Sequence, residues 1–303
     1  MKKSRMRIES SAVGETISVV LWECEDPKGV VQIVHGMSEH IERYDDFASF
    51  LTDNGYCVIG HDHLGHGSTM RDAKHEGFFA EANGWDRLVE DVNRVHDVAE
   101  EKFGKVPYIV FGHSMGSFVA RTYASRCGDA NAFVFSGTAG RNPVLPIAKI
   151  LVKSQIRKHG LYAKGDFLNG MAFGSYCKRI KDSKSPYAWL SRDKEAVEKY
   201  ENDPLCGFVF TNAGFRDLFD GIGEISAKEW AGKVPNVPIL LIAGTGDPVG
   251  NYGKGVKEVS KRLKDTGHDV TLKLYDKARH EVINEINRQE VFTDVLNFIE
   301  GIG

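Results

Sequence analysis

No stretch of this 303-residue chain approaches the roughly 18 consecutive apolar residues that a membrane-crossing helix requires. The longest apolar run, residues 144–152, is short and broken by Pro146 and Lys149. Strong charge of either sign is also missing: 39 Lys and Arg against 42 Asp and Glu leave a net charge of −3. That balance gives no electrostatic footprint for nucleic acid, so no such partner is expected. The one basic cluster, Lys2, Lys3, Arg5 and Arg7, is not followed by an apolar segment. It reads as a short solvated arm and not as a secretory signal. Cysteine is sparse: Cys24, Cys57, Cys127, Cys177 and Cys206 are odd in number, far apart along the chain and form no CxxC pair. A disulfide framework is therefore not expected, and a reducing cytoplasm is the natural home.

What is present is globular: 42% hydrophobic and 27% charged residues, without internal repeats. Short β-branched or apolar runs at 17–22, 30–34, 56–60, 108–111 and 132–135 predict strands. Between them, residues 44–54, 85–103 and 114–125 predict helices, the second stopped by Gly104; Trp85, Leu88, Val89, Val92 and Val95 recur at three- and four-residue steps. Strand alternating with helix implies a mostly parallel central sheet flanked by helices. The rhythm stops after Gly140 and resumes at Pro238, with strands at 239–243 and 270–275 and helices at 253–263 and 289–299. The chain thus divides into an α/β core over 1–141 and 236–303, interrupted by a mostly helical cap over 142–235.

Strand 108–111 runs into Gly112-His113-Ser114-Met115-Gly116, and a helix follows. This G-x-S-x-G pattern in a strand–turn–helix setting presents a serine at the sheet's carboxyl edge, beside free helix N–H groups. A serine hydroxyl needs a base, and the order Ser, acid, His supplies one. Asp247 follows strand 239–243 in Gly246-Asp247-Pro248, and His280 follows strand 270–275 in Arg279-His280-Glu281. The predicted catalytic set is Ser114, Asp247 and His280. The predicted oxyanion hole takes the amide of Met115 and one from the loop after strand 30–34; Met37, just past Gly36, is chosen, with Ser38 as the alternative. No cofactor is required. The loop His61-Asp62-His63-Leu64-Gly65-His66-Gly67 offers imidazoles, but neither H-E-x-x-H nor Cys/His pairing supports a metal site. A glycine-permitted turn that buttresses the neighbouring loops is the expected role.

Several motifs together resemble one family, the monoacylglycerol lipase and lysophospholipase branch of α/β hydrolases. They are His35-Gly36-Met37-Ser38-Glu39-His40 with Arg43-Tyr44, Asp62-His63-Leu64-Gly65-His66-Gly67, Gly112-His113-Ser114-Met115-Gly116, Gly246-Asp247-Pro248-Val249, and Arg279-His280-Glu281 with Asn284-Glu285. The segments 189–193 and 203–205 look like that family's cap. The resemblance implies the α/β-hydrolase fold with an eight-stranded sheet and a helical cap. It also implies the same Ser114, Asp247 and His280, an oxyanion amide on Met37, and cleavage of single-chain acyl esters. Ser38 stands where many relatives carry glycine, and Leu64 where bacterial relatives often carry arginine. Aromatic and apolar residues of the cap suit an acyl channel, and residues 145–152 suit transient contact with a membrane surface. Two other readings stay open: a proline-type serine aminopeptidase, and a non-catalytic small-molecule binder on the same fold.

Overall fold

The computed structural model describes residues 2–181 and 184–302; residues 182 and 183 of the expected cap, and the two terminal residues, lie outside it. Eight strands form one sheet in the order β1-β2-β4-β3-β5-β6-β7-β8. They are β1 (Lys2–Glu9), β2 (Thr16–Glu23), β3 (Gly29–Val34), β4 (Tyr56–His61), β5 (Tyr108–His113), β6 (Ala132–Ser136), β7 (Ile239–Gly244) and β8 (Val270–Tyr275). The β1–β2 and β2–β4 pairs are antiparallel, and every pair from β4 to β8 is parallel. β3, β4, β5 and β7 are buried along their whole length, which is why they read as nearly continuous apolar runs.

Helices cover both faces. α1 (Asp45–Asp53) and α9 (Arg288–Glu300) pack Phe47, Leu51, Val291 and Phe292 onto one face. α2 (Gly84–Phe103), α3 (Met115–Arg126) and α8 (Lys254–Lys264) cover the other with Leu88, Val92, Val119 and Val259. Between β6 and β7 lie α4 (Leu145–His159), α5 (Asp166–Phe173), α6 (Lys194–Asn202) and α7 (Asn212–Ser226). Among the described residues this insertion adds no strand to the sheet.

One expectation fails. The basic start is not a solvated arm but the edge strand β1, in register with β2 from Lys2 opposite Glu23 to Glu9 opposite Thr16. Its charges are used: Lys3 Nζ reaches Glu42 and Asp45, each at 2.8 Å. A charged edge strand also blocks edge-to-edge pairing with another chain.

Candidate active site

β5 delivers the chain into Ser114, and α3 begins at the next residue. Ser114 has φ 53° and ψ −122°, a conformation that costs a non-glycine residue about 1–3 kcal/mol. The turn is this tight because β3 and α3 touch: a Cβ on Gly116 would lie 2.0 Å from the Val34 carbonyl oxygen. On Gly112 it would lie 2.5 Å from the Gly116 carbonyl oxygen. Glycine on both sides is a steric requirement.

Asp247, in the loop after β7, is fully buried. Its Oδ1 accepts from His280 Nδ1 (3.0 Å) and from the Val249 amide (2.8 Å). A carboxylate oxygen accepts, so Nδ1 carries the imidazole proton and Nε2 keeps its lone pair. Nε2 makes no hydrogen bond to Ser114 or to any other described residue. Burial disfavours the imidazolium, but Asp247, with Glu281 and Glu39, outweighs it and raises the His280 pKa above its ordinary value. Sequence reasoning missed Trp189, whose indole lies against the His280 ring with centroids 5.0 Å apart. The clamp is broader than one ring: the Glu281 amide donates to Leu190 O (2.8 Å), and Arg279 donates to Ala188 O and Ser191 O.

The successive amides of the loop after β3 differ in their hydrogen bonding. The Gly36 N–H donates to Glu39 Oε1 (2.5 Å), and the Ser38 N–H donates to His66 Nε2 (3.2 Å). The amides of Met37 and Met115 have no hydrogen-bond acceptor among the described residues. Ser38 has φ 55°, in the left-handed region that favours glycine.

Two buried networks hold this loop. In the first, Arg43 donates to both oxygens of Glu281 (2.8 and 2.7 Å) and to Glu39, while Tyr44 donates to Glu39 (2.9 Å). Burial pushes the Glu281 carboxyl up, yet Arg43 overrides it and brings it to about 2. Removing one partner from such a buried pair costs about 3–5 kcal/mol. The second is the histidine-rich loop. His35 Nε2 accepts the His63 amide (3.0 Å), and His63 Nε2 donates to His35 O (3.1 Å). Asp62 accepts from the amides of Ile41 and Ser68, each at 2.8 Å. These contacts buttress the loop that carries Met37.

Three donor side chains do converge elsewhere: atoms of His40, Asp203 and Cys206 lie within 4.8 Å of one another. There the His40 Nε2 and Asp203 Oδ2 bond at 2.9 Å, and burial, with the nearby carboxylates, raises the Cys206 thiol well above its ordinary pKa and disfavours the thiolate a metal needs.

Ser114, His280, Met37 and Met115 line one cavity of about 720 Å³. α3 and α7 supply an apolar wall, with Phe118, Leu218, Phe219 and Ile222. A serine in a strained strand–helix turn and a histidine hydrogen-bonded to a buried aspartate, with serine and histidine lining one cavity, are features of a serine hydrolase of the α/β-hydrolase fold.

A family model described as serine aminopeptidase, S33, matches residues 25–287. The chain is 31% identical over 284 residues to a monoacylglycerol lipase of Mycolicibacterium smegmatis, covering 90% of this chain and 89% of that protein. It is 28% identical to a monoglyceride lipase of Mus musculus, over 89% of this chain and 80% of the relative. A crystal structure of a thermostable carboxyl esterase from Bacillus coagulans, in complex with glycerol, superposes with a TM-score of 0.93 at 33% identity. That match covers 100% of this chain and 99% of the esterase. The chain belongs to the serine aminopeptidase S33 family, and within it is a serine ester hydrolase.

Proposed function

We propose that the protein cleaves single-chain acyl esters of the monoacylglycerol or lysophospholipid kind through an acyl-enzyme intermediate on Ser114. The observation that carries this is His280, fixed at Nδ1 by Asp247 with Nε2 unengaged, on the wall of the cavity that holds Ser114. Catalytic hydrogen bonds are often completed only with substrate present. On attack, the Ser114 proton passes to His280 Nε2 and Ser114 Oγ bonds the acyl carbon. The oxyanion receives the Met37 and Met115 amides, each worth about 10²–10³ in rate. His280 then protonates the departing alcohol, and water reverses the sequence to free the acid. Asp247 holds the tautomer and offsets the imidazolium charge.

Several features support the acyl substrate. The cavity wall under α7 is apolar, and the insertion over residues 142–235 acts as a cap above Ser114. On that cap, Ile147 and Ile150 of α4 are 59% and 69% exposed, with Phe167 and Met171 of α5 also outside. This face suits brief contact with a lipid surface during substrate collection. No helix among the described residues is long and apolar enough to cross a membrane.

An aminopeptidase needs an unpaired carboxylate for the substrate ammonium. Among the described residues, the carboxylates lining this cavity are Glu39, Glu258 and Glu281. Arg43 takes the first and third, and Arg141 Nε lies 3.2 Å from Glu258. Turnover of monoacylglycerols, lysophospholipids, p-nitrophenyl esters and aminoacyl amides tests the assignment, with Ser114→Ala as control. Ester cleavage abolished by Ser114→Ala is expected. Preferential amide cleavage would reassign the substrate, and absence of any turnover would favour a binder.

A further inference from the structure

We propose that Arg43, clamped between Glu39 and Glu281, is a positioning residue that couples the oxyanion loop to the histidine loop. The inference rests on the roles given above to Ser114, His280 and Met37.

The geometry is a strut with two ends. At one end, Glu39 holds the Gly36 N–H at 2.5 Å, one residue before the Met37 amide. The fit there is close: a Cβ on Gly36 would lie 2.6 Å from Glu39 Oε1 and 3.1 Å from Ser114 Cβ. At the other end, Glu281 directly follows His280 and presents both oxygens to the guanidinium, at 2.8 and 2.7 Å. Arg43 stands between, 4.7 Å over the Tyr200 ring of the insertion, and bonds both carboxylates. A planar fork facing a carboxylate fixes angle as well as distance, which an ammonium cannot do. The distance between the oxyanion amide and the base therefore passes through one buried side chain.

The strut also has a charge. Every contact to Glu39 is from a donor, namely Gly36 N, Tyr44 Oη and Arg43, so its carboxyl acts as an anion. Two carboxylates around one guanidinium leave one excess negative charge. Other groups facing His280 are few. Asp247 is hydrogen-bonded to it, the His113 ring lies 4.8 Å away, and Trp189 supplies a neutral face. Arg279 is turned to the Ala188 and Ser191 carbonyls. The excess charge favours the imidazolium that forms as Ser114 attacks.

Glu281→Gln and Arg43→Lys separate charge from geometry. Steady-state kinetics on a short p-nitrophenyl ester, over a range of pH, are normalised to sites titrated by a fluorophosphonate. For Glu281→Gln, the acid limb of kcat/KM should move down by about half a pH unit or more. Its kcat should fall about tenfold with KM within about twofold. Arg43→Lys keeps the charge but not the fork; its acid limb should stay in place while kcat falls about tenfold. Wild-type acid limb and kcat in a fully titrating Glu281→Gln protein would overturn the proposal. If that variant does not fold, wild-type kcat in Arg43→Lys overturns it instead. Ser114→Ala, run alongside, separates the two levels: turnover surviving in it overturns the underlying triad and not the strut alone.

Discussion

The Trp189 indole and the His280 imidazole lie in contact, their planes tilted by 38°, and the Trp189 carbonyl accepts the His280 amide at 3.3 Å. A residue of the insertion thus packs the proposed base against its working position. Trp189→Ala should lower kcat on a short ester about tenfold with little change in KM, whereas Trp189→Phe should keep most of the rate. Equal kcat in all three proteins would show that the contact is packing alone.

Asp247 fixes the histidine tautomer through a single oxygen. An amide in its place can donate to Nδ1 and favour the wrong tautomer. Asp247→Asn should therefore cost about 10³–10⁴ in kcat. In the wild type the His280 pKa is raised above its ordinary 6.5, so kcat/KM should reach half its plateau above pH 6.5 and fall as pH drops. A pH–rate profile that is flat from pH 8 to 5 would contradict the role of His280.

Acid should unfold the protein through its buried imidazoles. Burial lowers the pKa of His63 to about 4 and of His66 to about 3; His35 and His61 are held well below 6.5 by burial and by their mutual repulsion. In the unfolded chain these rings titrate near 6.5. Below that pH the unfolded state binds more protons, so stability is complete above pH 6.5 and declines down to about pH 3. Each group contributes a slope of about 1.4 kcal/mol per pH unit. Thermal melts between pH 7.5 and 4 should show the decline. Neither ring nitrogen of His61 has a hydrogen bond, so His61→Phe should flatten the curve while leaving the melting temperature at pH 7.5 little changed. A pH-independent melting temperature would contradict this.

Ile222 lines the apolar wall on α7. Ile222→Trp should fill the channel and lower kcat/KM on long-chain monoacylglycerols about tenfold, with short p-nitrophenyl esters within about twofold. Parallel loss on both substrates would place the acyl chain elsewhere.

The sequence made most of the frame legible because buried parallel strands are nearly continuous apolar runs and α2 repeats its apolar residues with helical period. Strands β2 to β8 and the helices of the core fall within a residue or two of their predicted limits. β1 was hidden because an exposed edge strand needs no apolar face; its Lys and Arg residues look solvated until Glu42 and Asp45 are brought beside them. The serine, aspartate and histidine were legible as motifs. The contacts of Trp189 and the Arg43 strut were not. Arg43 and Glu281 are 238 positions apart, and only the fold makes them neighbours. A faint local signal existed in Glu39 and Arg43, four residues apart, but nothing in that spacing indicates what lies opposite.

Nucleophilic attack by Ser114 is the claim on which the chemistry depends. The direct measurement is mass spectrometry of the intact protein and its peptides after rapid acid quench during turnover of an activated acyl ester. The expected result is one added acyl group, on the peptide containing Ser114 and absent from Ser114→Ala. An acyl group on any other residue, or undiminished turnover by Ser114→Ala, would contradict it.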